Sequence, residues 1–506
     1  MGKIQSFTEH FFYSIKELVF DALLLLRKEI VPSFQFSFGS VPNNVWLSFS
    51  LVIGSGLRSY YLSQPMRYDE SVTFLEFVNR DLHDLVYYPY PNNHVLHTLL
   101  VKMAVLILGA NPISIRLIAF LAGVGCIPLI FSLCRQLAQS GVFAALAVSV
   151  FPYLVFYSTN ARGYTLLVLL TLLLASVGLQ AAKKPSVAGA TLTSLVASLG
   201  ILAMPSMLFP IAGLYFWFVL LLLMHKIDLK IIFFDFIIPC GLFTVVFSLV
   251  LYTPVIMVSQ GIETIISNSY IKPQPWPEFL GQLSPHITSS LSDIFRDIPR
   301  PLIIVFVVLV LLGILHGIQK RDRTTLLLLP SILLGSAAIL FIQHRIPFAR
   351  TWIFVIPFII LLADAGFTYL MEQLSPRIKL YFLLVTFLAA TVFTISLISS
   401  NSIARHPDTG IFSEAPIAAK FLESRVTKKQ PNIVFVSKTP ATEPINFYLW
   451  YYDIPVEFAN ENSLPGDIIY IVEKSHYSLK DMTDQPVIKI FAIDNLEVYQ
   501  GIDTEK

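Results

Sequence analysis

Four short stretches of this 506-residue chain concentrate side chains that could do chemistry. The first, MRYDESVTFLEFV, places Asp69 and Glu70 just after a long apolar run. A carboxylate where water meets hydrocarbon is partly desolvated, which makes it a better base. The same acids could simply open a helix, where negative charge meets the positive end of the dipole. The second, YYPYPNNHVLHTLLV, gathers Asn92, Asn93, His94 and His97 ahead of an apolar helix. Either asparagine could cap that helix. The histidines, at i and i+3, share a helix face and could bind a metal or hydrogen-bond a phosphate or sugar. A structural role fits them equally. The third, FYSTNARGYTLL, sets Arg162 beside Tyr157, Asn160 and Tyr164. An arginine at a membrane boundary can also just snorkel. The fourth, FIQHRIPFARTW, carries His344, Arg345 and Arg350, cations suited to a phosphate or to ordinary lipid headgroups. Arg58 and Arg116 lie in or beside apolar runs, where a charge costs at least ~2.5–3.5 kcal/mol and tends to be paired or functional.

The elements that must position these groups are membrane helices. Apolar runs near 43–62, 113–134, 140–158, 163–182, 186–204, 206–224, 231–255, 301–318, 324–343, 348–370 and 378–400 each approach the ~20 residues that span a bilayer. A shorter run at 94–109 contains His94, His97 and Lys102. Basic clusters at Arg27–Lys28, Lys183–Lys184, Lys226–Lys230, Lys320–Arg323 and Arg377–Lys379 fall on one side only if 94–109 does not cross. That stretch is therefore read as a juxtamembrane or re-entrant helix. The N-terminus is then cytoplasmic, and loops 63–112, 159–162, 256–300 and 344–347 face outward with the tail. All four reactive stretches meet at that outer face. Loops 63–112 and 256–300 are long, as functional loops often are, and the second holds Pro273, Pro275, Trp276, Pro277 and Pro285.

Composition agrees. The chain is 55% hydrophobic and only 13% charged, against about 25% charged in soluble domains. This excludes a disordered chain, a coiled coil and a disulfide scaffold. A net charge of +2 gives no reason to expect nucleic acid. Residues 401–506 differ, with ten Lys/Arg against fifteen Asp/Glu, and read as a soluble domain. Ser413 is placed to cap a helix over 413–426. NIVFVSK, GDIIYIVEK and VIKIFAI read as strands, and LEVYQ as an edge strand. Residues 1–42 lack a signal-peptide pattern and read as an amphipathic cytoplasmic segment. Cys126, Cys134 and Cys240 all sit in apolar runs and form no disulfide or zinc pattern. The expected architecture is an all-α polytopic membrane bundle over 43–400, with about eleven transmembrane helices plus juxtamembrane helices. A small α/β extracytoplasmic domain over 401–506 completes it.

The order of motifs resembles the GT-C membrane glycosyltransferases of the protein O-mannosyltransferase-like superfamily, whose members include the aminoarabinose transferase of lipid A and the Rgt-type core-sugar transferases. The likeness rests on the Asp69–Glu70 pair, the Pro/Asn/His segment, GANPISIRLIAFLAGVGCIPLIFSLCR and FPYLVFYSTNARGYTLL, and it is densest over 45–185. It implies a sugar donor on polyprenyl or dolichyl phosphate, an outer-face active site in the inner or plasma membrane, and inversion by single displacement. It maps the family's loop acid onto Asp69, with Glu70 beside it as a catalytic candidate. Substrate-binding candidates are Asn93, His94, Arg162, Tyr164, His344, Arg345 and Arg350. The acceptor would be a hydroxyl of a glycan, lipid or protein. Asp69, Glu70 and His94 could offer ligands to a divalent cation such as Mg or Mn. Where many relatives carry an acid before the arginine, this chain has Asn160-Ala161-Arg162, so a second acid is missing there. The rival reading is a multi-pass transporter or lipid flippase, which would show internal repeats and charges spread over several helices. A third is a noncatalytic scaffold.

The charge pattern fixes a testable topology. A reporter fused after residue 400 should be extracytoplasmic, and one fused at residue 184 cytoplasmic. A cytosolic tail would overturn both the orientation and the outer-face site.

Overall fold

The computed structural model describes residues 37–38, 41–89, 91–224, 227–259, 261, 263, 270–426, 433–436, 441–458, 468–474, 479–481, 483–484 and 486–502. Most of the expected amphipathic segment 1–42 lies outside the described residues. Its end forms a small antiparallel hairpin of β1 (Ser37–Phe38) and β2 (Val41–Pro42). The helices then follow as α1 (Asn43–Tyr61), α2 (Tyr68–Thr73), α3 (Val95–Leu108), α4 (Pro112–Gln136), α5 (Val142–Val150), α6 (Pro152–Ser158), α7 (Tyr164–Lys183) and α8 (Val187–Ala203). After them come α9 (Leu208–Met224), α10 (Ile238–Val258), α11 (Trp276–Phe295), α12 (Arg300–Lys320), α13 (Arg323–Gln343), α14 (Ile356–Gln373) and α15 (Pro376–Ser400).

Among the described residues, 8 helices are long and apolar enough to cross a membrane: α4, α7, α9, α10, α12, α13, α14 and α15 with their lead-in turns. The chain is an integral membrane protein. The other three expected runs fold as α1, as α8, and as the broken pair α5–α6. The break in the 140–158 run is a correction with a clear cause. Pro152 has no N–H, and it pushes Phe151 out of the helical region to φ −63°, ψ 114°. Breaking the helix frees carbonyls at its end, and Arg58 satisfies them. Its Nη1 donates to Ser149 O (2.7 Å) and Gly54 O (3.1 Å), its Nη2 to Val148 O (3.0 Å), and its Nε to Ser158 Oγ (3.1 Å). This intramembrane arginine is a helix cap. Helix α3 has 14 residues, roughly 21 Å at 1.5 Å per residue, short of the ~30 Å hydrocarbon core.

Helices α12 and α14 cross where glycines meet. A Cβ on Gly313 would lie 2.0 Å from Leu362 O, and one on Gly366 would lie 1.9 Å from Leu309 O. Small residues let backbones approach in a membrane, where lipid supplies no hydrophobic drive for association.

The tail folds as α16 (Ala415–Val426), β3 (Ile433–Val436), α17 (Thr442–Tyr451), β4 (Glu457–Phe458), β5 (Ile468–Glu473), β6 (Val487–Ile493) and β7 (Leu496–Gly501). The sheet order is β4-β3-β5-β7-β6, parallel across the first three strands and antiparallel across the rest. LEVYQ therefore lies inside the sheet and not at its edge. It returns from β6 through a tight turn at Asp494 (φ 45°) and buries Leu496 and Val498. Ser413 does not cap α16; its hydroxyl bonds Glu414 Oε2 (3.0 Å). The tail is seated on the membrane half by one apolar cluster. Met66, Phe74 and Val78 of the segment between α1 and α3 join Phe412, Ala415, Phe447 and Leu449. Tyr448 Oη also accepts Met66 N–H (3.1 Å).

Candidate active site

The site is built on a buried carboxylate. Glu70 is fully buried and faces the guanidinium of Arg116, also fully buried. Arg116 Nε donates to Glu70 Oε2 (3.0 Å), and its Nη2 donates to Oε1. Glu70 also accepts Arg67 N–H (2.9 Å) and Ala161 N–H (2.9 Å). Arg116 then holds the chain leaving α1 by its carbonyls, through Leu62 O (2.7 Å) and Pro65 O (3.0 Å). One carboxylate thus joins the end of α1, the start of α2, helix α4 and the turn before α7.

A second arginine adds the segment after the last span. Arg67 Nη1 donates to His406 O (2.6 Å) and Asp408 O (3.0 Å), and its Nη2 to Ile403 O (3.2 Å) and Ala404 O (2.6 Å). Backbone pairing continues with Tyr68 N–H to Gly410 O (2.9 Å) and Asp69 N–H to Thr409 O (3.2 Å). Asn160 Nδ2 donates to Thr409 Oγ1 (2.7 Å). Residues 403–410 therefore brace the frame of the site from behind, although they follow the membrane bundle in sequence.

Above this frame opens a cavity of about 850 Å³. Its polar lining includes Tyr68, Asp69, Asn92, His94, Arg162, Tyr164, Arg345 and Arg350, with Glu76 from the π-helical turn Phe74–Val78. Its apolar flank is lined by Ile201, Met204, Leu208, Phe209, Leu249, Tyr252, Ile256 and Ile271. Asp69 Oδ2 lies 4.0 Å from Arg350 Nη2, and each side chain keeps less than a fifth of its surface exposed. Arg350 Nη1 donates to Asp408 Oδ1 (2.6 Å), while Asp408 Oδ2 accepts the Tyr157 hydroxyl. The Arg350 guanidinium stacks over Phe348 at 4.4 Å. Arg162 is buried; its Nη1 donates to Thr73 Oγ1 (2.9 Å) and Asn92 O (2.8 Å). The Nε atoms of Arg162 and Arg350 are buried with no protein partner. The same holds for Nε of Arg67, so it is their place in the cavity lining that suits Arg162 and Arg350 to an anionic ligand.

Charge states follow from surroundings. Burial pushes the Asp408 carboxyl up, but Arg350, Tyr157 and the Thr409 N–H outweigh it and hold the group below the usual carboxylate range. Burial, then Arg162, His97 and Arg350, keep His94 well below the usual imidazole value. Its neutral Nδ1 accepts Gly163 N–H (2.9 Å), and its ring meets Tyr164 edge-on. Burial and then Glu443 push the Glu76 carboxyl up.

The sequence candidates now divide. Asp69, His94, Arg162, Tyr164, Arg345 and Arg350 come together in the cavity. Three do not. Glu70 is buried in its ion pair, so it is a framework residue and not a second base. Asn93 is buried, donates to Leu85 O (3.0 Å) and Tyr87 O (2.8 Å), and accepts from Thr98 Oγ1 (2.8 Å). Its neighbour Asn92 lines the cavity instead. His344 adopts φ 48° and packs its ring on Trp276 at 3.9 Å, outside the cavity lining. Arg58 and Arg116 are structural as well. Asp408 was not anticipated. It lies in a stretch with no motif, though an acid soon after the last span, where the missing second acid could be sought, was a usable signal. A divalent cation finds no ready donor set. Among the described residues, no three His, Cys, Asp or Glu side chains come together as ligands. Asp69 faces an arginine, and His94 Nδ1 is already engaged.

This architecture has solved counterparts. The chain superposes on the crystal structure of ArnT from Cupriavidus metallidurans in the apo state with a TM-score of 0.58 and 13% sequence identity, covering 91% of this chain and 98% of that one. The fold is shared with ArnT. The crystal structure of the same protein bound to undecaprenyl phosphate gives a TM-score of 0.57 at 13% identity, over 91% and 99% of the two chains. No family model matches the sequence, and no curated protein matches it. The expected all-α membrane bundle with a small α/β tail is thus borne out as a fold shared with ArnT.

Glu70→Gln tests the framework. Breaking a buried ion pair from one side leaves an uncompensated charge and costs about 3–5 kcal/mol. The variant should show a markedly lower melting temperature or fail to accumulate, while Asp69→Asn should melt near the wild type.

Proposed function

We propose that this chain is a membrane glycosyltransferase. It moves a sugar from a polyprenyl-phosphate donor to a hydroxyl of a glycan, lipid or protein acceptor, on the extracytoplasmic face of the inner or plasma membrane. The observation that carries this reading is one cavity lined by a carboxylate, Asp69, by three arginines and by a run of apolar side chains. The shared fold with a protein crystallised with undecaprenyl phosphate supports it.

The chemistry follows from the placement. The isoprenoid chain lies along the apolar flank, and Arg162, Arg345 and Arg350 hold the phosphate. The acceptor oxygen attacks C1 of the sugar from the side opposite the phosphate. The C1–O bond breaks with its electron pair going to the phosphate oxygen, and the anomeric centre inverts. Asp69 accepts the hydroxyl proton. A phosphate leaves as a stable anion, so it needs no general acid. The arginines stabilise the charge that grows on it, with few waters to reorganise. Tyr164 and His94 form a wall that orients the sugar. A metal is not required for this path.

Asp69→Asn keeps the size of the side chain and removes its capacity as a base. In proteoliposomes supplied with polyprenyl-phosphate sugars, turnover should fall by about 10²–10⁴-fold. Undiminished turnover would place the base elsewhere in the cavity. Prolonged chelation with EDTA should leave the wild-type rate within twofold; a loss restored by Mg or Mn would establish a metal-dependent route.

A further inference from the structure

The contact between Arg350 and Asp408 has a cost for any phosphate site. The arginines lining the cavity are Arg162, Arg345 and Arg350, and the acids lining it are Asp69 and Glu76. Asp408 stands behind Arg350 as a further anion, 2.6 Å from Nη1. It is held on several sides. Its carboxylate accepts the Tyr157 hydroxyl and the Thr409 N–H (2.8 Å), its own N–H donates to His406 Nδ1 (3.3 Å), and Arg67 grips its carbonyl (3.0 Å). The charged and titratable groups that face it are thus Arg350, Tyr157, Tyr153, His406 and Arg67. A rigid anion here weakens the hold on every phosphate, and it does so permanently.

Resting on the reading of this cavity as a lipid-phosphate site, we propose that Asp408 is a resident counter-anion that weakens binding of the spent lipid phosphate and so sets its release. The reasoning is one of charge. The sugar donor is a phosphodiester with one negative charge. Transfer turns it into a phosphomonoester, which carries up to two. A fixed unit charge nearby repels the product about twice as strongly as the donor. Three arginines without this offset would hold the product more tightly than the donor and trap it. Asp408 does not touch the reacting atoms; it acts through Arg350 and through its field.

The test uses the full chain in nanodiscs, titrated with undecaprenyl phosphate. Asp408→Asn keeps a carbonyl oxygen for Arg350 and Thr409 and an amide for Tyr157, so it removes charge with little change of shape. It should bind undecaprenyl phosphate roughly tenfold more tightly than the wild type. The gain should be larger at pH 8 than at pH 5, because the probe acquires its second charge near pH 6, and it should shrink in high salt. A merely structural residue would give weaker binding in the variant and no such pH dependence. Asp408→Ser carries the same expectation should the amide variant fail to fold. Arg350→Ala is the reference and should bind more weakly. If it does so while both Asp408 variants bind no more tightly than the wild type, the release role is wrong and the phosphate site stands. If Arg350→Ala binds undecaprenyl phosphate as the wild type does, the phosphate site itself is wrong, and this inference goes with it.

Discussion

A carboxylate without water must find donors, and Glu70 finds four of them in three separate parts of the chain. Burying an ion is unfavourable unless its lone pairs are filled, so these parts are bound to one geometry or to none. Every residue of the cavity is placed relative to that knot. Asp69 is the next residue in the chain. Arg162 follows the Ala161 N–H that Glu70 accepts. The loop held by Arg116 leads directly from the first helix into α2.

Arginines divide into two populations by what they face. Arg58, Arg67 and Arg116 are buried against backbone carbonyls where the chain breaks, turns or returns to the membrane. They act as caps for segments whose peptide groups would otherwise be orphaned in an apolar setting. Arg162 and Arg350 line the cavity, and Arg350 meets carboxylates there in place of backbone carbonyls. The same side chain can be scaffold or ligand-binder, and the difference lies in whether backbone oxygens or a cavity meets the fork. Counting membrane arginines therefore says little about function until their partners are known.

This explains what the sequence made legible and what it hid. Hydropathy located the helices, because burial in lipid demands long apolar runs. Arg345 and Arg350 stood out as cations on the face that normally lacks them, and Asp69 as an acid opening a long polar loop. The roles of Asp69 and Glu70 could not be separated, since both are adjacent acids and the partner of Glu70, Arg116, is remote in sequence. The same one-residue ambiguity misplaced the cavity contact on Asn93 when Asn92 makes it, and on His344 beside Arg345. The break at Pro152 was readable from the proline itself but was masked by the continuity of the apolar run. Asp408 was visible as an acid soon after the last span, but its role was hidden for a different reason. Its importance comes from Arg67, which draws residues 403–408 back across the molecule, and no local pattern encodes that return.

The path of residues 403–410 also orders events during biogenesis. Helices enter the membrane as the ribosome delivers them, N-terminal ones first. Asp69, Arg162 and Arg350 could all be inserted and packed while the chain was still being made, yet Arg67 would have no carbonyls to hold and Arg350 no counter-anion. Both arrive only with the stretch that follows the final span. Closure of the cavity is therefore tied to completion of the whole membrane half, so a chain stalled short of that point would carry the cavity's side chains without the segment that braces them.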